Sequence, residues 1–414
     1  MTSSAPRADR GVRILSLADA ESLRAEYARI GCSAEGIDIM LPKGRFHVVR
    51  LEQVPTKAAN ILKQEMLANG GDAVVHWKTV ACGVERTNVL LMGTEKQLRR
   101  VCGTLQRDPF GLPATGQVIL AVLNQYAGQR GALRCGPYTL PLGQKTYVMG
   151  IVNVTPDSFS GDGLAGSADA AVRQAAQMVA DGADILDVGG ESTRPGAEPV
   201  SLEDELLRVV PVVRALASLN VPISVDTYKS EVAREALAAG ATIINDISGL
   251  RFDPAMAGVV AAANVPVVVM HIKGTPRTMQ QQPGYDDLLT EVCAYLQEST
   301  ALAEAAGIPR DQVILDPGFG FAKTIAQNLE LLRRLRELTS YGQPVLLGTS
   351  RKSTIGHILG DLPPEERVEG TAATVTLGIA NGADIVRVHD VKAMARVAKM
   401  TDAIVREQPR GGND

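Results

Sequence analysis

Aromatic residues are scarce, at 4% with a single tryptophan, and neither sign of charge dominates: 42 Lys and Arg against 46 Asp and Glu leave a net charge of -4. A chain so nearly balanced has no electrostatic reason to bind nucleic acid. Cysteine is sparse too: Cys32, Cys82, Cys102, Cys135 and Cys293 form no CxxC pair and have no histidine spaced for zinc. That excludes a disulfide scaffold and a zinc module, and makes the cytoplasm the expected compartment. No apolar run approaches the roughly 20 residues that cross a bilayer, and "MTSSAPRADRGVR" at the start lacks the apolar core of a secretory signal. A soluble protein without membrane or nucleic-acid partners is expected.

What is present is apolar and periodic. Hydrophobic residues make up 45% of 414 positions, enough for one large domain and a smaller one. From Tyr147 onward, short Val/Ile-rich runs entered through Gly or Pro turns alternate with Ala-rich helical segments. "YVMGIVNV", "ADILDVGG", "VPISVDT", "ATIINDI", "VPVVVMH", "VILDPG", "PVLLGTS" and "ADIVRVH" are eight candidate strands, too continuously apolar for a sheet with one wet face. "DGAD", "AGAT" and "NGAD" put Gly where a helix ends in a left-handed cap. Eight strand–helix units predict a C-terminal (β/α)8 TIM barrel, with an open doubly wound sheet as the structural alternative. Upstream, "FHVVRLE", "DAVVHWK" and "NVLLMGT" predict three strands, with helices around 55–69 and 95–106, in a smaller α/β (α+β) domain. A Gly- and Pro-rich connector puts the expected boundary at 1–142 and 143–414.

The strand ends then turn polar. They offer Asn153, Asp187 with Glu191, Asp226, Asn245 with Asp246, His271, Asp316, Ser350 with Arg351 and Lys352, and Arg387 with His389. Any one of these could cap a helix. Polar groups at the end of strand after strand favour a ligand site, because each buried unpaired group costs about 1–3 kcal/mol. Arg194, Lys352, Arg387 and His389 suit anionic oxygens, while Asp226 and Asp316 suit ring N–H and amino groups. Arg387 and His389, two apart, face one side of their strand. A ligand with a polyphosphate end and an amide-like heterocycle would use both sets.

"MGIVNVTPDSFSGDG", "DVGGESTRPGAEPV", "VDTYK", "INDISG", "HIKGTPRTMQ", "DPGFGFAK", "SRKS" and "RVHDV" together resemble, in order, the signatures of the dihydropteroate synthases over about residues 148–400. The resemblance implies a transferase that condenses 6-hydroxymethyl-7,8-dihydropterin pyrophosphate with p-aminobenzoate, giving 7,8-dihydropteroate and pyrophosphate for folate synthesis. It places Asp226, Asn245, Asp316, Lys352 and Arg387 around the pterin. Asn153, Arg194, Arg387 and His389 fall at the pyrophosphate, with Asn153 meeting Mg2+. Phe159, Thr193, Arg194, Pro195, Phe321 and Ser353 form the p-aminobenzoate slot. Asp226, Lys352, Arg387 and Asn153 are the implied catalytic set, and residues 155–166 and 192–200 the implied lids. Sulfonamide sensitivity and a homodimer follow from the same resemblance.

Three positions depart from the pattern. "SFSGDGL" is one residue longer than usual, Ala322 stands where glycine is usual, and Ile272 where methionine follows the histidine; the latter two read as modest packing changes. A methyltetrahydrofolate–corrinoid methyltransferase-like enzyme and a non-catalytic pterin-binding paralogue are the alternative readings. The role of the first 142 residues, structural, regulatory or catalytic, stays open. Its "VPTKAANILKQEML" segment has the spacing of an amphipathic helix that packs on its own strands.

Overall fold

The computed structural model describes residues 12–17, 19–127, 131–154, 164–192, 196–279 and 284–406. It divides into two compact units, Met1–Ala127 and Gly128–Asp414. The first contains α1 (Ala20–Ile30), α2 (Ala34–Gly44), β1 (Phe46–Pro55), α3 (Thr56–Ala68), β2 (Asp72–Val74), β3 (Arg86–Thr94), α4 (Glu95–Thr104) and α5 (Leu112–Ala127). Its antiparallel sheet runs β1-β3-β2, with Val89 and Leu91 of β3 facing a core of Ala58, Leu62, Met66, Leu98 and Val101 from α3 and α4.

The second unit opens with a hairpin, β4 (Ala132–Cys135) and β5 (Tyr138–Pro141). Eight parallel strands follow with their helices: β6 (Tyr147–Asn153), α6 (Leu164–Ala180), β7 (Ile185–Gly189), α7 (Leu202–Leu216), β8 (Ile223–Asp226), α8 (Ser230–Ala239), β9 (Ile243–Asp246), α9 (Met256–Ala263), β10 (Val267–Met270), α10 (Leu288–Ala305), β11 (Val313–Asp316), α11 (Ile325–Arg333), β12 (Leu346–Leu347), α12 (Ser353–Ile358), α13 (Val368–Ala380), β13 (Ile385–Val388) and α14 (Val391–Val405). The sheet runs β11-β10-β9-β8-β7-β6-β13-β12, and a parallel bridge from Leu315 to Val345 joins its ends into a (β/α)8 barrel.

Alternation along each strand builds the interior. Leu186, Val188, Val225, Ile244, Val267, Val269, Leu315, Val386 and Val388 pack outward against the helices. Met149, Ile185, Ile243, Val268, Ile314, Leu346 and Ile385 point inward and form the bottom layer. The hairpin seals that layer from below with Leu133, Cys135, Leu140 and Leu142. Gln312 pins it, its Oε1 accepting from Arg134 N at 2.8 Å and its Nε2 donating to Ala132 O at 3.2 Å. The division therefore falls after Ala127, ahead of the expected 142/143 boundary: the turn-rich connector is the barrel's plug.

The helix-to-strand joints recur with a shared device. Gly182, Gly240 and Gly382 have φ of 106°, 117° and 94°, the left-handed conformation that turns each chain out of its helix. Two residues on, a polar side chain ties a neighbouring strand: Asp184 Oδ2 accepts from Val148 N at 2.9 Å, Thr242 Oγ1 from Ile223 N at 3.1 Å, and Asp384 Oδ2 from Val345 N at 2.9 Å.

Candidate active site

Because side chains alternate, the residue two beyond each bottom-layer isoleucine also points inward. Ile185, Ile243, Ile314 and Ile385 are followed in this way by Asp187, Asn245, Asp316 and Arg387. An apolar layer thus gives way to a charged one, and Asn153, Asp226 and His389 stand at the same end of their strands.

Arg387 is the hub. Its Nε donates to Asp187 Oδ2 at 2.6 Å and its NH2 to Asp226 Oδ2 at 2.8 Å. Burial opposes its charge, but Asp187 and Asp226 outweigh that and hold the guanidinium protonated, its pKa raised. Asn245 Nδ2 also donates to Asp187 Oδ2, at 3.3 Å. Asp226 is pushed up to about 7 by burial, with Arg387 opposing and Asp187 adding to the rise. Burial raises Asp316 as well, against the pull of Lys352, and its Oδ1 accepts from Gly318 N at 2.7 Å. Gly189, at the end of β7, lies between Asn153 and Asp226: a methyl placed on it would sit 3.9 Å from both Asn153 Oδ1 and Asp226 Oδ2.

Lys352, at the N-cap of α12, donates to Phe319 O and sits 4.6 Å from the Phe321 ring centroid. Burial lowers it to about 8, although Asp316 favours its charge. His389 Nδ1 lies 3.0 Å from Ser350 Oγ, which also accepts from His389 N at 3.1 Å. Phe321 packs beside Ile247, Met270, Ile272, Met279 and Ala322, while Ser353 is exposed at the start of α12. Phe159, Thr193, Arg194 and Pro195 lie outside the described residues, as does most of the implied lid at 155–166.

The 318–323 loop holds the groups that motif reading passed over. Buried Lys323 donates to Gly318 O at 3.0 Å and Phe321 O at 3.1 Å, and lies 2.9 Å from His271 Nδ1. Burial lowers Lys323 to about 7 and, with Lys323 alongside, lowers His271 well below the usual histidine value. His271 is therefore neutral, edge-on to Tyr295 with ring centroids 4.9 Å apart. Asn328 Oδ1 accepts from Gly320 N at 2.7 Å, and Tyr285 donates to Ala322 O at 3.0 Å. His271 belongs to this clamp. Ala322 has φ of 50°, so its replacement of glycine strains the backbone as well as altering packing.

Other charged groups are engaged with one another. Arg351 binds Asp390 through two nitrogens, at 2.9 and 2.5 Å. Lys229 joins Glu191 at 2.6 Å, Glu205 at 2.5 Å and Val200 O at 2.8 Å, so one cation ties the two sides of the segment at 192–199.

The fold and site define an enzyme of the (β/α)8 class whose mouth suits a flat, hydrogen-bonding ligand carrying negative charge. The family model "Pterin binding enzyme" matches residues 149–389. A dihydropteroate synthase from Synechocystis is 52% identical over 65% of this chain and 96% of its own length. A solved dihydropteroate synthase from Xanthomonas albilineans, with 4-aminobenzoic acid, is 45% identical with a TM-score of 0.63, covering 67% of this chain and all of that one. A probable bifunctional folylpolyglutamate synthase/dihydropteroate synthase from Halobacterium salinarum matches at 42% across 95% of this chain, which spans 48% of that protein. The chain belongs to the pterin-binding enzymes and, among them, to the dihydropteroate synthases.

Proposed function

We propose that the barrel mouth condenses 6-hydroxymethyl-7,8-dihydropterin pyrophosphate with p-aminobenzoate, releasing pyrophosphate. The observation that carries this reading is the inward polar layer, where Asp187, Asp226, Asn245, Asp316 and Arg387 from five strands meet above an apolar floor. Asp316 accepts from the ring's amino and N–H donors, Asn245 supplies amide groups, and Lys352 reaches the ring carbonyl. Arg387 and His389 take the pyrophosphate end. As the C–O bond to pyrophosphate breaks, Asp226 stabilises positive charge spreading into the ring. The aniline lone pair then attacks the electron-poor methylene carbon, which needs no strong base. Phe321 walls the p-aminobenzoate slot, with Ser353 at its polar end; Phe159, Thr193, Arg194 and Pro195 enter it by family resemblance.

Mg2+ fits this arrangement. No group of three or more His, Cys, Asp or Glu that could hold a metal occurs among the described residues, but a magnesium ion commonly takes one or two protein oxygens and completes its shell with phosphate and water. Asn153 Oδ1, at the end of β6 near Gly189 and Asp226, would hold it. When bound, Mg2+ supplies charge neutralisation for the departing pyrophosphate.

Two copies are also proposed to pair. Leu377 on α13 and Met400 and Ile404 on the adjoining α14 are exposed, which supports a partner there, and sedimentation of Ile404→Asp would report monomers. No helix among the described residues is long and apolar enough to cross a membrane.

Calorimetry tests the pterin assignment. Asp316→Ala should weaken pterin binding by about tenfold or more, as loss of hydrogen bonds to a charged group implies. A sulfonamide should compete with p-aminobenzoate and not with the pterin. Unchanged pterin affinity in the variant, or competition against the pterin, contradicts the subsites.

A further inference from the structure

We propose that Asp187 is a positioning residue of the pterin site: it fixes the plane of the Arg387 guanidinium, sets which end of the Asn245 amide faces the ligand, and shares Arg387 with Asp226. The proposal rests on the functional reading above and concerns a residue that the family resemblance left without a role.

Asp187 lies at the middle of β7, paired in register with Ile151 of β6 and Ser224 of β8, and is fully buried. Its Oδ2 accepts both the Arg387 and the Asn245 hydrogen bonds, while its Oδ1 is buried with no hydrogen-bond partner among the described residues. Folding alone does not favour this. A carboxylate stripped of water is costly even when paired, and an oxygen without a donor adds to the cost. Ile185, two residues earlier on the same strand, shows what suits a purely structural inward position.

The gain lies in what Asp187 holds. Arg387 is grasped at Nε by Asp187 and at NH2 by Asp226, on different strands, so the guanidinium cannot turn about its last side-chain bond without breaking one contact. Asn245 donates Nδ2 to Asp187, which leaves Oδ1 as the acceptor it presents elsewhere. Without Asp187, both ends of that amide become equivalent and Arg387 turns wholly to Asp226.

The substitution Asp187→Asn tests this, since it keeps the shape and an acceptor for Arg387 but removes the charge. The charged groups that act on Asp226 include Arg387 from β13, Asp187 from β7, Glu205 from α7, Asp246 from β9 and Lys352 at the start of α12, which the substitution does not touch. Glu205 is held by Lys229 and Asp246 by the Ser248 and Leu250 N–H groups, so the substitution leaves both in place. Removing the Asp187 charge lowers the repulsion on Asp226 and weakens the competing hold on Arg387, and both favour ionised Asp226. The acid limb of kcat/KM should therefore move down by about half a pH unit or more. Affinity for 6-hydroxymethylpterin, measured without pyrophosphate or divalent metal, should fall by about tenfold, with KM for p-aminobenzoate unchanged. An unmoved acid limb together with unchanged pterin affinity in the folded variant overturns the proposal. Asp187→Ser provides a second, smaller acceptor, and loss of fold in both variants also overturns it, since Asp187 would then serve the fold. Wild-type protein that fails to bind the pterin would overturn the functional reading, an outcome distinct from normal wild-type binding with no change in the variants.

Discussion

Burial makes the charged form of Asp226 costly to the fold. Its pKa is raised by burial to about 7, so between the ordinary carboxylate range and pH 7 the folded state binds more protons than the unfolded one, and stability falls as pH rises through that window. Asparagine imitates the neutral acid. Asp226→Asn should therefore exceed the wild-type melting point by little at pH 4 and by much more at pH 8, while turnover is lost. Thermal melts at the two pH values check this, and a lower midpoint at pH 8 would show that the charged form supports the fold. Which side chains carry charge at the strand ends was plain in the sequence, because charged residues there interrupt apolar runs. How they pair was not. Arg387 and Asp187 are far apart in the chain and meet only because the barrel closes. Likewise, nothing in "GFA" announces that Ala322 takes a left-handed backbone, a strain set against burial of its methyl beside Ile247, Met270 and Met279.

At the scale of elements, the 318–323 loop is ordered by side chains from outside it and by one of its own. Lys323→Met should leave the Phe321 carbonyl without its Lys323 donor, at about 1–3 kcal/mol in chemical denaturation, while the Gly318 carbonyl keeps the Phe321 N–H. Since that loop presents Phe321, KM for p-aminobenzoate should rise more than KM for the pterin; equal rises in both would contradict a local role. The barrel strands were legible because Val and Ile runs buried on both faces leave a continuous apolar signal, and Gly caps marked where three of them began. "PVLLGTS" shortens to Leu346–Leu347, and "DAVVHWK" to Asp72–Val74, since strand-like composition continues past the last ladder pairing. α1, α2 and α5 were not signalled. α1 buries Leu23 alone, α2 carries Gly36 and Pro42, and α5 contains Gly116, all of which weaken a helical pattern.

For the whole molecule, the hairpin decides where the chain can be cut. A protein beginning at Gly131 keeps the plug, and the Synechocystis relative, matched over 96% of its own length by 65% of this chain, shows a synthase built on little more than such a barrel. One beginning at Gly143 exposes the bottom layer and loses burial of Leu133, Leu140 and Leu142, at roughly 1.5–3 kcal/mol each. The first should show a cooperative melt and the second a much lower one; equal midpoints would mean the hairpin seals nothing. Comparing the first with the full chain also isolates what the N-terminal unit adds.

The central claim is that this mouth joins a pterin to an aniline with loss of pyrophosphate. Pyrophosphate and 7,8-dihydropteroate should therefore be quantified together in one reaction of the full chain with dihydropterin pyrophosphate, p-aminobenzoate and Mg2+. The account predicts equal amounts of both products, formed only when both substrates are present, and loss of both in a folded Arg387→Ala variant. Pyrophosphate released at the same rate without p-aminobenzoate, or no product from folded wild-type protein, would contradict it.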